Sequence, residues 1–402
     1  MNIVVVTKEE FPFGNAASNR VLTYMPGIVA LGHHVTLLCL FLSRKENADL
    51  LDEHGECMYN GVHIKYAAGK NPWPVGSKKY LTKAFLKYKA QVQAKRYLKG
   101  NRCNIDIVQM YSTEIGLFER YGTICRNLGL KYCIERSELP DIVKYKEKYD
   151  QIKKGKAYIF RSERAFGLFD GWILETQTLV DYYHKFFKPG TKCTIVPMTV
   201  DVDRFAIEKS QSYSHERYIA YCGNMLEIDG ISILIKAFNL VHTKYPDVKL
   251  FLAGDSIEVP MQKKLVESLG IKDYVVFMGR VSRDEVPQFL ANATVLALAS
   301  PTSERACASM PCKVGEYLCT SNPVVVTGLG EINKYLKDGE NAYLSAPDSE
   351  RAFAEKLEEA LMDPDRAHAV GLRGKAVAVA YFSSEAQVKR IEEFYKEIVN
   401  KR

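Results

Sequence analysis

The most chemically loaded stretch of the chain is Ser303-Glu-Arg-Ala-Cys-Ala-Ser-Met-Pro311-Cys-Lys313-Val-Gly315-Glu316-Tyr317-Leu. It puts Lys313 and the backbone of Val314 and Gly315 at a helix start, with Glu316 one position further on. A lysine and free amides suit a diphosphate, and a carboxylate suits the vicinal hydroxyls of a ribose. A capped helix with a solvated glutamate fits the same residue types equally well. A second candidate is Phe11-Pro-Phe-Gly14-Asn15-Ala-Ala-Ser18-Asn19-Arg20, between the first apolar run and an amphipathic helix through Val21, Tyr24, Met25 and Ile28. Small residues there let backbone amides approach an anion at the positive end of the helix dipole. The segment lacks a G-x-G-x-x-G fingerprint, and Gly and Asn also serve an ordinary βα turn.

Two metal-like patterns are discounted. Asp201-Val-Asp203 and Asp363-Pro-Asp365 match D-x-D only at chance level, and His33-His34, closing one helix and opening a strand, reads as core or cap. No metal is expected.

These residues need elements to hold them, and apolar runs alternate with helical periods along the whole chain, the pattern of parallel sheets covered by helices. Val4 to Thr7, His34 to Leu40, Ile105 to Gln109, Lys131 to Ile134, Trp172 to Glu175 and Thr194 to Pro197 read as strands of a first domain, 1–205, joined by the C-terminal helix 385–402. The polar segment 206–217 reads as a linker. A second domain, 218–384, restarts with Tyr218 to Cys222 and continues through Lys249 to Ala253, Val275 to Met278, Val295 to Ala299 and Pro323 to Thr327. Loops at the carboxyl ends of such strands hold ligands, so Gly223, Gly254, Gly279 and Ser300 mark one rim.

Composition agrees with two globular domains: 402 residues, 47% hydrophobic and 26% charged. No run approaches the roughly 18 apolar residues of a membrane span. The start of the chain has neither the basic flank nor the cleavage site of a signal peptide, and ten scattered cysteines without C-x-x-C pairs suggest a reducing compartment, hence the cytoplasm. The net charge of +7 is concentrated: Lys78 to Lys99 holds eight Lys or Arg and no acid. Leu81, Phe85, Tyr88 and Val92 recur there at helical spacing, giving a cationic amphipathic helix. A second basic stretch runs from Lys144 to Arg164. A solvated face competes with docking on an anionic leaflet or a lipid-linked substrate. Nucleic acid ranks lower, since no nucleic-acid motif accompanies the charge.

The stretch PCKVGEYLCTSNPVVVT resembles the P-[ST]-K-[LI]-x-E-Y block of the GT-B retaining glycosyltransferases of glycosyltransferase family 4. TIVPMTVDVDRF, KLFLAGDS, VVFMGRVSRDEVPQFLANATVLALAS and LGEINKYLKDGENAYL are similar to further blocks of that family, in the same order, with the likeness dense from Lys192 to Leu344. The resemblance implies two Rossmann-like domains facing across a cleft, a nucleotide-sugar donor carrying UDP or GDP, and transfer to a hydroxyl with retention. Glu316 matches the ribose-binding glutamate, while Ala308 stands where its E-x7-E partner would be. Gly223 matches the glycine of the phosphate-binding turn, but Asn224 and Asp229 stand in place of its two cations. Leaving-group neutralisation then falls to Lys313, with Arg305 or Arg280 assisting, the Val314 and Gly315 amides, and the Gly14 loop. Tyr111 occupies the position of a frequent family histidine. Glu138 or Glu135 would orient the acceptor hydroxyl or the transferring sugar, with a surface ion pair to Arg136 as the plainer account.

The implied activity is metal-independent hexosyl transfer in cell-surface polysaccharide or glycolipid synthesis, in the cytoplasm or peripheral on the inner face of its membrane. A non-catalytic nucleotide-sugar-binding or regulatory relative, motivated by Asn224, Asp229, Ala308 and Tyr111, and a nucleotide-sugar epimerase of the same architecture are the alternatives.

Overall fold

A computed structural model describes residues 1–74, 79–140, 155–207 and 216–400. The chain divides into two compact units, Met1–Pro197 with Ser384–Arg402, and Met198–Ser383.

The first unit is built on eight strands: β1 (Asn2–Thr7), β2 (His34–Cys39), β3 (Glu56–Tyr59), β4 (Val62–Tyr66), β5 (Ile107–Tyr111), β6 (Lys131–Arg136), β7 (Gly171–Leu174) and β8 (Lys192–Ile195). Their order is β3-β4-β2-β1-β5-β6-β7-β8. All neighbours are parallel except β3 with β4. β1, β5 and β7 are almost wholly buried, which explains their unbroken apolar runs. Thr7 registers with Cys39 on one side and Tyr111 on the other, so the carboxyl ends of β1, β2 and β5 share one edge. Chain order reverses between β2-β1 and β5, the place where open α/β sheets leave a ligand crevice. The helix Ser384–Val399 belongs to this unit, its Val388, Ile391, Phe394, Tyr395 and Ile398 entering the same core at helical spacing.

The second unit carries β9 (Arg217–Cys222), β10 (Val248–Ala253), β11 (Val275–Gly279), β12 (Val295–Leu298), β13 (Val324–Thr327) and β14 (Tyr343–Ser345), in the parallel order β11-β10-β9-β12-β13-β14. Ala253 registers with Cys222 and with Gly279, aligning the turns that follow β9, β10 and β11.

The sequence reading leaves out β3, β4 and β14. β3 lies at the sheet edge, with exposed Met58, and β14 has three residues, too few for a period. The last strand of the first unit ends at Ile195, two residues before the expected Pro197. Within the expected linker 206–217, residues 208–215 fall outside the described residues, as does 144–154 of the second basic stretch. Among the described residues no helix is long and apolar enough to cross a membrane.

Candidate donor and acceptor sites

At the end of β9, Gly223 turns the chain with φ +154°, and a Cβ there would lie 2.0 Å from Lys313 Cε. The lysine stem therefore crosses this residue at a distance only glycine permits. Lys313 Nζ reaches Asp229 Oδ1 at 2.9 Å and donates to the Tyr221 hydroxyl at 2.8 Å. The same ammonium lies 4.9 Å from the Tyr221 ring centroid. Tyr221 donates its own hydroxyl hydrogen bond to the Asn224 carbonyl, and burial beside Asp229 pushes its pKa well above the phenol range. Lys313 is thus held by an internal anion and an aromatic face.

Glu316 follows one turn later on the helix Cys312–Cys319, with Arg204 Nη1 3.8 Å from its carboxylate. Burial raises the Glu316 carboxyl above its ordinary range, and Arg204, Arg283 and Lys313 pull it back down. Its side chain as a whole retains 33% exposure. Tyr317 ties this helix to the end of β9 by accepting a hydrogen bond from Cys222 N at 2.8 Å.

Other expected donor groups lie differently. Val314 N already donates to Pro311 O at 3.0 Å, so this amide is committed within the chain and is no open phosphate donor. A Cβ at Gly315 would come 2.7 Å from Met198 Sδ, so close packing accounts for that glycine. Arg280, just beyond β11, is 85% exposed and 3.6 Å from Asp255. Arg305 is exposed on the short helix Glu304–Ala308, and Asn224 is exposed in the turn after Gly223.

In the first unit, Asn15 caps the helix Ala16–Ala30 by accepting from Ala17 N at 2.9 Å and Ser18 N at 3.2 Å. Two of the amides that could receive an anion are therefore filled by the cap itself. A Cβ at Gly14 would meet Ser18 Oγ at 2.0 Å, so this glycine packs against the first turn. Arg20 is no loop cation: it is buried, bonding Glu135 Oε1 at 2.6 Å, Pro197 O at 3.0 Å and Val196 O at 2.7 Å. Tyr24 and Gln109 complete the shell around Glu135, and Tyr395 of the C-terminal helix donates to Gln109. This network takes Glu135 out of contention as an acceptor-orienting group and replaces the expected surface pair with Arg136. Arg136 instead bonds the Ser112 and Glu138 carbonyls. Tyr111 is buried at the end of β5, and the Glu138 side chain is half-buried.

A cavity of about 510 Å³ opens at the carboxyl edge of this first sheet, lined by Lys8, Glu9, Asn15, Phe41, Trp73, Lys87 and Glu114 among others. Among the described residues no three His, Cys, Asp or Glu side chains gather as a metal site. Asp363 N-caps the helix Pro364–Val377, Asp201 accepts from Arg204 N, and His33 lies between the N-terminal ammonium and Glu392.

Residues 202–377 match the family described as glycosyl transferases group 1. That match spans nearly all of the second unit. Among relatives, the chain is 24% identical over 231 residues to N-acetyl-alpha-D-glucosaminyl L-malate synthase of Bacillus anthracis, covering 56% of this chain and 58% of that protein. It is 25% identical over 219 residues to the GDP-mannose-dependent alpha-(1-6)-phosphatidylinositol monomannoside mannosyltransferase of Mycolicibacterium smegmatis, covering 52% and 57%. The chain thus spans little more than half the length of these relatives. Among solved structures it resembles sucrose-phosphate synthase of Thermosynechococcus elongatus, with TM-score 0.73, 16% identity and 100% of both chains covered. It also resembles Anabaena HepE solved with UDP, with TM-score 0.71, 14% identity, and 98% and 99% coverage. The architecture is GT-B, with two parallel-sheet α/β domains.

Within the second unit, sequence reasoning missed Arg204 and Tyr221. Both stood in segments already singled out, Arg204 in VDVDRF and Tyr221 two residues before Gly223. Nothing in their spacing announces that they converge on Glu316 and Lys313, since 112 and 92 positions separate the partners.

Proposed function

We propose that this chain is a retaining, metal-independent glycosyltransferase that moves a sugar from a UDP- or GDP-linked donor to a hydroxyl of a glycan or lipid-linked acceptor. The observation that carries the reading is Lys313 and Glu316, one turn apart on the helix Cys312–Cys319, with Lys313 lying over Gly223 at the carboxyl end of β9. As the bond from anomeric carbon to phosphate oxygen breaks, negative charge grows on the diphosphate, and the Lys313 ammonium is the fixed donor that meets it. Glu316 accepts hydrogen bonds from the ribose hydroxyls. The departing phosphate oxygen takes the acceptor's proton while the new glycosidic bond forms on the same face of the ring. UDP bound to HepE and the GDP-mannose dependence in the name of the mycobacterial relative support either base. The setting we infer is polysaccharide or glycolipid synthesis at the cytoplasmic side of a membrane.

Calorimetry with UDP and GDP, followed by incubation of labelled sugar nucleotides with candidate acceptors, tests this reading. Lys313→Ala is expected to lower kcat roughly a hundredfold with a smaller change in donor KM. Failure of the wild type to bind either nucleotide overturns it. A nucleotide-sugar-binding protein without turnover is the second reading, favoured by the Asp229 carboxylate already neutralising Lys313. It requires binding without transfer.

A further inference from the structure

Helix Tyr80–Gly100 faces its own unit with Ala90, Ala94 and Leu98, the buried side chains at every fourth position. At about 100° per residue, Leu81, Phe85 and Tyr88 point to the opposite side. They are 82%, 63% and 67% exposed, so the larger apolar stripe of this helix is the one turned to solvent. Scattered exposed hydrophobics need no account, but a row of three along two turns is a surface with a purpose. The cations follow the row. Lys89 and Arg96 flank it on one side and Lys95 on the other, and Lys79 to Lys99 contains seven Lys or Arg without one acid.

An apolar row inside a cationic field requires an apolar phase bounded by anions. A second copy of this helix supplies the first and repels the charge, and a nucleic acid supplies the charge and leaves Leu81 and Phe85 in water. An anionic lipid leaflet meets both requirements. We infer that helix Tyr80–Gly100 docks this chain on anionic bilayers, with Leu81, Phe85 and Tyr88 in the headgroup boundary and Lys89, Lys95, Arg96 and Lys99 on the lipid phosphates.

The orientation deepens the transferase reading, on which the following step rests. Lys87 and Gln91 of the same helix line the cavity of about 510 Å³, where the Trp73 and Phe41 rings meet Asn15, Glu9 and Glu114. A docked helix therefore holds this aromatic and polar cavity within about one helix diameter of the leaflet. The acceptor class it fits is a saccharide carried on a lipid of the same leaflet.

The test is sedimentation of the full chain with vesicles of phosphatidylcholine alone and of phosphatidylcholine mixed with phosphatidylglycerol. The wild type is expected to partition at least about tenfold more strongly to the anionic vesicles. Leu81→Ser/Phe85→Ser/Tyr88→Ser keeps every charge and is expected to lose roughly a hundredfold of that partition. Lys89→Gln/Lys95→Gln/Arg96→Gln/Lys99→Gln keeps the apolar row and is expected to lose a similar factor on anionic vesicles only. Circular dichroism and UDP and GDP affinity, both expected unchanged, report intact folding of the variants. Equal binding of the wild type to both vesicle types, undiminished binding of the serine variant, or a change of oligomeric state in place of vesicle binding overturns the docking. A wild type that docks and binds no nucleotide overturns the transferase reading alone.

Discussion

Asp229→Asn separates the two ways of understanding Lys313. The wild-type pair spans 2.9 Å, with side-chain exposures of 19% for Lys313 and 15% for Asp229, so water screens it little. A charge-assisted hydrogen bond in such a setting contributes about 1.5 to 3 kcal/mol. The amide keeps the shape and one acceptor, and Tyr221 remains a partner, so the stability loss on substitution is expected at the lower part of that range, about 1.5 to 2 kcal/mol. The same change removes the internal anion that a diphosphate must displace from Lys313. If about 1.4 kcal/mol of that competition is relieved, UDP or GDP binds roughly tenfold more tightly. Titration calorimetry gives the affinity and urea melts give the stability. Unchanged affinity with reduced stability would refute the competition and leave Lys313 a structural partner of Asp229. Weaker binding would make Asp229 the group that aims Lys313 at the phosphate.

Glu316→Gln is expected to weaken UDP or GDP binding about tenfold or more, through loss of a charge-assisted acceptor. Because burial raises the Glu316 carboxyl, the folded chain keeps that proton to higher pH than the unfolded chain does, and the ionised form costs stability once pH passes the folded value. Melting temperatures should therefore favour Glu316→Gln over the wild type increasingly as pH rises above the ordinary carboxylate range, and a pH-independent difference refutes the shift. Arg20→Met leaves Glu135 buried without its cation and should cost about 3 to 5 kcal/mol by urea melts, part of it recovered in Arg20→Met/Glu135→Gln. No loss of stability would return Arg20 to the role of an anion ligand. Gly223→Ala drives a methyl into the Lys313 stem, so transfer rates should fall much as in Lys313→Ala, with circular dichroism unchanged; wild-type rates would detach Gly223 from the site.

The alternation of apolar runs and helical periods was enough to read the two parallel sheets, because strands such as Val4–Thr7 and Val295–Leu298 are buried on both faces and need no polar alternation. That Lys313 and Glu316 share one helix was legible for a local reason, since they stand within one turn of each other. What spacing cannot convey is which partner a charged side chain meets. Arg20 lies in a glycine-containing turn that reads as an anion loop, yet its guanidinium crosses 115 positions to Glu135. Asn15 also takes the Ala17 and Ser18 amides, so those two donors of the turn serve the cap.

Helix Tyr80–Gly100 carries the same lesson into function. Leu81, Phe85, Tyr88 and Val92 recur at helical spacing, and the usual inference assigns such a stripe to the core. The structure puts Ala90, Ala94 and Leu98 inward. Small side chains let the helix backbone lie close to its unit, and a core contact of that kind leaves little trace in hydrophobicity. The apolar period of a surface helix therefore specifies two candidate faces, and the face left over after packing is the one available to a partner. Here that face is aromatic, cationic and free of acids, which is why the lipid leaflet, and not the protein interior, is the phase it is matched to.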